Sequence, residues 1–182
     1  GSLTLDIDTL VPTITITTSA SELKAGETAT ITFTLSEAST DFAVNDIDVS
    51  GGSIGDLTAV SSTVYTAVFT PLSSSTDDGV ITVTGDKFTD EAGNDNTSGS
   101  LTLDIDTVVP TITITSSDDA LIAGETATIT FTLTEGSSNF IREDITVSGG
   151  TIGDLTAVSS TVYTAVFLSL IHISEPTRHR QI

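Results

Sequence analysis

The sequence predicts an all-β chain of tandem Greek-key β-sandwiches, the second one truncated, and three observations predict it. A near-exact repeat carries Ser2–Thr9 onto Ser100–Thr107, an offset of 98. Within each copy, threonines alternate with aliphatic residues at period two, the pattern of strands buried on one face. Turn signals rich in Gly, Ser, Asn and Asp interrupt these runs every ~10 residues, and no segment of useful length has a helical period.

The same offset relates Gly26–Thr30 to Gly124–Thr128 and Gly51–Phe69 to Gly149–Phe167, the latter pair differing only at Ser53 against Thr151. A period near 100 residues matches one sandwich and exceeds the ~20–50 residues of a solenoid repeat, so each copy is expected to fold as its own domain. Differences gather where Ala20-Ser21-Glu22 becomes Asp118-Asp119-Ala120 and Ala38-Ser39-Thr40-Asp41 becomes Gly136-Ser137-Ser138-Asn139. These read as loops between strands, where substitution is expected to cost little folding energy.

Taken in order, residues 1–8 read as the last strand of a preceding repeat. Residues 9–106 form a complete sandwich, residues 107–167 a truncated one lacking its last two strands, and residues 168–182 a non-native tail. In the complete copy, Thr13–Thr17 turns Ile14 and Ile16 inward, and Glu27–Leu35 turns Ala29, Ile31, Phe33 and Leu35 inward. Asp46–Ser50 and Ile54–Val60 come next, bounded by Gly51-Gly52 and Ser61-Ser62. Val64–Phe69 places Tyr65, Ala67 and Phe69 together, Val80–Thr84 places Ile81 and Val83 together, and Ser100–Asp106 places Leu101, Leu103 and Ile105 together. Residues Thr89–Asn94 read as one helical turn within a longer loop. Threonine suits the outer faces because its branched side chain packs on a pleated surface while its hydroxyl meets water.

Composition limits function. With 25 acidic against 5 basic residues and a net charge of −20, the chain would be repelled by nucleic acid. No cysteine is present, so ruggedness has to come from sheet packing or bound cations. No apolar run approaches the ~20 residues of a membrane helix. Gly1 stands where an initiating Met would be expected, so the chain reads as an internal piece whose export or anchoring signals lie elsewhere.

The repeat breaks after Phe167. Leu168–Arg178 replaces the expected Thr-Pro-Leu-Ser continuation and resembles translated sequencing-adapter sequence. Both histidines, His172 and His179, fall in this tail, which leaves Lys24, Lys87 and Arg142 as the basic residues before it. Neither histidine is therefore offered as a ligand or a base.

Three segments carry a family resemblance: Asp106–Ile114, Ala123–Phe131 and Ser148–Leu155, with the loop Phe88–Asn94 matching the same pattern. Together they resemble the bacterial Ig-like repeats of large surface adhesins and biofilm-associated proteins, over essentially Asp8 to Phe167. The resemblance implies immunoglobulin-like sandwiches and an extracellular or bacterial cell-surface location. It implies a role as structural extender and adhesion module, not an enzyme. The partners implied are neighbouring repeats of the same chain, with a host surface, a neighbouring cell or a glycan engaged through other regions. A module that itself binds glycan or protein, and an accessory repeat of a secreted enzyme, are the alternatives. Near-identity of Gly51–Phe69 with its copy favours the extender, because a binding array would diversify its contact surface.

The linker Asp6–Pro12, repeated at Asp104–Pro110, joins two acids to a proline of fixed φ. In an Ig-like sandwich this linker shares a pole with the loops bearing Glu37 and the cluster Asp86, Asp90, Glu91, Asn94 and Asp95. Carboxylate and amide oxygens converging there suit Ca²⁺, which takes about six to eight oxygen ligands with little geometric demand. The expected metal ligands are Asp8, Glu37, Asp90 and Asn94, with Asp106 and Glu135 as their equivalents at the next joint, where the loop supplying the counterparts of Asp90 and Asn94 is missing. Stiffening by calcium at such joints is what the resemblance implies.

Other motifs carry less. Paired carboxylates could hydrolyse glycosides only at a fixed separation in a substrate cleft, and here they lie in repeated linkers without an aromatic platform, aromatics being 5% of the chain. The Thr-x-Thr strands are shared by ice-binding surfaces and by ordinary exposed sheet faces. No glycine-rich turn is followed by the Lys and helix of a phosphate cradle. Asn96-Thr97-Ser98 fits a glycosylation sequon.

Overall fold

The computed structural model describes residues 1–5 and 7–170, which divide into two units, Gly1–Val109 and Pro110 onward. Among the described residues of the first unit, nine strands form two sheets. One sheet has the order β1-β3-β7-β5, from β1 (Ile14–Thr18), β3 (Ala29–Leu35), β7 (Val64–Pro71) and β5 (Gly52–Ile54), with β6 (Thr58–Ala59) also on β7. The other has the order β2-β9-β8-β4, from β2 (Glu22–Lys24), β9 (Gly99–Asp106), β8 (Gly79–Val83) and β4 (Ile47–Ser50). All pairs are antiparallel except β2 with β9.

Alternation decides which side chains enter the core. Ile14, Ile16, Ala29, Ile31, Phe33, Leu35, Tyr65, Ala67, Phe69, Ile81, Val83, Leu103 and Ile105 are all buried, as expected, and Leu101 packs against them half-buried. Phe42 and Phe88 reach the same core from loops. Phe42 meets Phe33, Tyr65 and Phe88 at centroid distances of 5.7, 5.2 and 5.2 Å, tilted and edge-on arrangements that aromatic rings prefer.

Four features differ from the sequence reading. Glu22, taken as a loop residue, begins β2, and Leu23 beside it is buried. A strand of three residues is too short to show periodicity, and its parallel partner β9 lies about eighty positions away. The single strand expected over Ile54–Val60 is two, β5 and β6, because Gly55 donates its N–H to Val68 O (2.8 Å) and the chain then bulges before rejoining β7 at Thr58 opposite Thr66. A 3₁₀ turn at Val44–Asp46 precedes β4. Residues Thr89–Asn94 form no helical turn; Thr89 and Asp95 make an isolated antiparallel bridge around turns at Glu91 and Ala92.

The second unit builds one sheet, in the order β10-β11-β14-β12, from β10 (Ile112–Ser116), β11 (Thr126–Leu133), β14 (Val162–Ser169) and β12 (Gly150–Ile152), with β13 (Thr156–Ala157) on β14. Its register repeats that of the first sheet, Phe131 opposite Tyr163 as Phe33 is opposite Tyr65. A small core of Phe131, Ile152, Tyr163 and Ala165 forms beneath Phe140. Among the described residues there are no counterparts of β8 and β9. The positions matching β2 and β4, Ala120–Ile122 and Ile145–Ser148, are accordingly not strands, since β9 and β8 are the partners they would pair with. The inner face is left open: Ile112 and Ile114 are 45% and 59% exposed, where Ile14 and Ile16 are 7% and 8%. β14 continues through Leu168 and Ser169, past the last position at which the repeats agree, while residues 171–182 lie outside the described residues.

The pair Gly51-Gly52 does more than turn the chain. Gly51 has φ +70°, and a β-carbon on Gly52 would strike the buried ring of Phe69 and lie 2.5 Å from Thr70 O. Gly52→Ala should therefore destabilise the first unit by about 1–3 kcal/mol through overpacking, lowering its Tm by roughly 4–8 °C per kcal/mol. Gly55→Ala, whose new carbon would meet only Val68 O at 3.6 Å, should leave the thermal transition nearly unchanged.

Candidate metal centre at the first domain's entry pole

Three segments distant in sequence supply the site. Asp8 comes from the linker before β1, where its Oδ1 accepts the N–H of Leu10 (3.0 Å) and fixes the turn toward Pro12. Asp106 makes the same turn one repeat later, accepting from Val108 N–H (3.2 Å). Glu37 comes after β3, next to Ser36, whose N–H bonds Thr13 O (2.9 Å) and whose hydroxyl accepts the Thr13 N–H (2.9 Å). Asp90 sits in the loop after β8, between the Thr89–Asp95 bridge partners.

These elements bring Asp8, Glu37 and Asp90 together, one carboxylate oxygen from each lying within 4.8 Å of the others. Asp8 is exposed, Glu37 half-buried and Asp90 buried. The carboxyl of Glu37 is held above its usual range, by partial desolvation first and then by the negative charges of Asp8 and Asp90. Asp90 moves the other way. The side-chain amide of Asn94 is the main cause, donating to Oδ2 at 2.8 Å, and the Asn94 backbone N–H adds a bond to Oδ1 at 2.9 Å; together with the N–H groups of Gly93 and Ala92 they outweigh desolvation. The result is a compact all-oxygen donor set whose mutual repulsion a hard divalent cation would relieve.

Asn94, the fourth residue expected at the site, contacts two of the three acids. Its amide nitrogen donates to Asp90 Oδ2 (2.8 Å) and reaches Asp8 O (3.4 Å), so it bridges the two acids as a donor. Asp86, Glu91 and Asp95 are exposed and stand outside the triad. Asp106 terminates β9, and Glu135 lies beyond β11, half-buried in the second unit.

A second layer of residues escaped the sequence reading. Asp41 accepts the Thr89 N–H at Oδ1 (3.0 Å) and the Thr89 hydroxyl at Oδ2 (3.1 Å), fixing the residue that precedes Asp90. It also accepts the Ser39 hydroxyl (2.7 Å), and buried Ser39 accepts at its carbonyl the hydroxyl of Tyr65 (3.0 Å). The expectation that substitution here costs little is therefore corrected at Ser39 and Asp41. The signal was present in the repeat, since Ser137 and Asn139 preserve the hydroxyl and the acceptor oxygen, and Tyr163 bonds Ser137 O (2.6 Å). Asn96 likewise is not a free sequon: buried, it accepts from Lys87 and Phe88 N–H (2.8 and 2.9 Å) and donates to Thr84 and Thr97 carbonyls (3.0 and 2.8 Å), leaving its amide fully committed. Thr107 closes the opposite end of the unit, its buried hydroxyl donating to Leu72 O (2.6 Å) and accepting from Ser75 N–H (2.9 Å).

The bacterial Ig-like domain matches the chain twice, over residues 8–105 and 106–177. The chain belongs to the bacterial Ig-like domain family. The two matches meet at the linker, so the unit with two sheets is one Ig-like domain and the single-sheet unit is its partial copy. Among solved structures, the Yersinia pseudotuberculosis adhesin InvE is similar at 15% identity and a TM-score of 0.41, over 86% of this chain and 51% of that one, so the chain spans about half of InvE. No curated protein is significantly similar to the sequence. Among the described residues no helix is long and apolar enough to cross a membrane.

Asp41 provides a test of the second layer. Its carboxyl lies below the usual range because bonds from Ser39 and Thr89 overcome desolvation, the largest single influence. A depressed folded pKa contributes stability above the ordinary value of 3.8 that is lost as pH falls through the folded value. Asp41→Ala should thus cost about 0.5–1.5 kcal/mol at neutral pH, the range of a solvent-screened hydrogen bond. Denaturant titrations repeated at decreasing pH should show that deficit shrinking below 3.8.

Proposed function

We propose that the chain is a stretch of extender and adhesion module from a bacterial secreted or cell-surface repeat protein, its joints stiffened by calcium. The observation that carries this reading is the position of Asp8. It is the counterpart of Asp106, the last residue of the closing strand β9, and its carboxylate meets Glu37 and Asp90 from the body of the following domain. A cation held there ties the end of one repeat to the start of the next, removing freedom from a linker that already contains a proline. In this reading Asp8, Glu37 and Asp90 are ligands and Asn94 orients Asp90. Near-identity of the copies and the independent core of the first domain support a role in which length and stiffness matter more than a diversified surface. Neighbouring repeats are the immediate partners, and adhesive contact to a host surface, a neighbouring cell or a glycan belongs to other regions of the protein.

Calcium and acid should both act on the first domain. Extracellular modules bind calcium with Kd of about 10⁻⁴–10⁻³ M, and at ~10 Kd one site adds about 1.4 kcal/mol, or a rise in Tm of roughly 5–10 °C. Glu37, with its folded pKa raised, contributes stability at acid pH that is lost as pH rises through that value. Glu37→Gln should accordingly be the more stable form at neutral pH without calcium, and should lose most of the calcium-induced rise. Scanning calorimetry with and without millimolar calcium reads both effects; equal Tm values in the two buffers for the parent chain would sink the cation proposal.

A further inference from the structure

Two of the three acids at the entry pole are tied to one sheet of the first domain, and the third comes from the other. Glu37 follows Ser36, which exchanges two hydrogen bonds with Thr13 (2.9 Å each) and so fixes the end of β3 to the start of β1. Asp8 stands in the linker that leads into β1. Asp90 belongs to the loop between β8 and β9, both in the facing sheet. Its place relative to the other two acids therefore depends on what anchors that loop across the sandwich. The far end of the loop is anchored by Thr97, whose N–H bonds Pro12 O (2.9 Å). The near end is anchored by Asp41, which accepts the Thr89 N–H at Oδ1 (3.0 Å) and the Thr89 hydroxyl at Oδ2 (3.1 Å), immediately before Asp90. The neighbours of this clamp, Phe42 and Phe88, pack edge-on at 5.2 Å. Asp41 itself is not one of the three converging carboxylates.

We infer that Asp41 is a positioning residue for this metal centre: its two-oxygen clamp on Thr89 sets the affinity for calcium, and asparagine in its place gives a weaker site. The inference rests on the calcium reading above. It turns on a difference between two side chains of the same shape. A carboxylate accepts at both oxygens, whereas asparagine has one acceptor oxygen and an NH₂ donor. Asp41 uses both, since its Oδ1 also takes the Ser39 hydroxyl (2.7 Å) while Oδ2 takes that of Thr89. The second copy of the repeat has Asn139 at this position, with its Oδ1 on the Ser137 hydroxyl (2.9 Å). That exchange keeps the oxygen facing the serine and gives up the second acceptor. Residues that hold a ligand in place raise metal affinity by sparing the site reorganisation on binding. A repeat with asparagine here accordingly holds its cation less tightly than one with aspartate, and an array mixing the two has joints of unequal stiffness at a given calcium concentration.

Calcium titration of the full 182-residue chain, followed by amide NMR, tests it. Asp41→Asn should raise the calcium Kd roughly tenfold, the lower end of what residues orienting metal ligands contribute. Thr89→Val keeps the net charge and removes only the hydroxyl bond, so it should raise Kd by a smaller factor, roughly threefold. The double variant should be no weaker than Asp41→Asn alone, because the two residues act through one contact. In calcium-free buffer the Asp90 amide, bonded to Asn94 O (3.2 Å), should exchange faster in both single variants than in the parent. A parent that binds calcium and variants that bind it with the same Kd overturn the inference and leave the calcium reading standing, whatever happens to Tm. A parent that binds no calcium overturns both. A loss of affinity in Asp41→Asn that Thr89→Val does not share also overturns the inference, since it would be the effect of the lost charge alone.

Discussion

Closure of two sheets over the ring of Phe69 is the constraint on which the first domain depends. The ring is fully buried, with Gly52 beneath it in one sheet and Gly79 against it in the other, where a β-carbon would lie 2.8 Å from its ζ carbon and 3.0 Å from Ile105 Cδ1. A side chain at Gly52 would meet Phe69 and the Thr70 carbonyl within its own sheet, and one at Gly79 would press on Phe69 from the facing sheet. A sheet with one apolar face has to bury it against another layer, and the second unit displays the consequence of a missing layer. Its β10-β11-β14-β12 sheet keeps the register of the first, yet Ile112 and Ile114 of its edge strand face solvent, and among the described residues the segments matching β2 and β4 are not strands. Strand pairing within a sheet is thus local to that sheet, whereas burial is a property of the pair.

The pole where the linker enters inherits its geometry from that closure. Phe42 and Phe88 are loop residues drawn into the core, and the residues beside them, Asp41 and Thr89, bind one another across the two loops. Asp90, next to Thr89, meets Glu37 and the Asp8 that makes the linker turn with Leu10, one carboxylate oxygen of each within 4.8 Å of the others. The electrostatic outcome is divided: Asp90 is stabilised as an anion by Asn94, and Glu37 is disfavoured as one by desolvation and its neighbours. A protein that gathers three acids in this way accepts a penalty in the absence of a counter-charge, which the rest of the domain's folding energy has to offset.

Much of this was legible in the residues themselves. Alternation over Ala29–Leu35 and Tyr65–Phe69 named the inward faces correctly because period two leaves no choice once one face is apolar. The family pattern and the spacing of the linker acids pointed to Asp8, Glu37 and Asp90, which the fold does assemble. The features that could not be read depended on partners remote in sequence. β2 exists through its parallel neighbour β9, the order of Thr89–Asn94 comes from Asp41 and Asn96, and the direction of the Asn94 amide is dictated by the hydrogen bond that Asp90 accepts. The substitution of Asp41 by Asn139 between copies looked like tolerance, although both residues supply the same acceptor oxygen to a neighbouring serine.

The most direct test of sheet closure is backbone amide hydrogen exchange, compared between corresponding strands of the two units. Closure predicts strong protection for Ala29–Leu35 and Val64–Pro71, covered on their inner face, and markedly faster exchange for Thr126–Leu133 and Val162–Ser169 despite the same pairing. Equal protection of the two sets would contradict it, showing that a single hydrogen-bonded sheet holds its structure without the layer that the first domain folds against it.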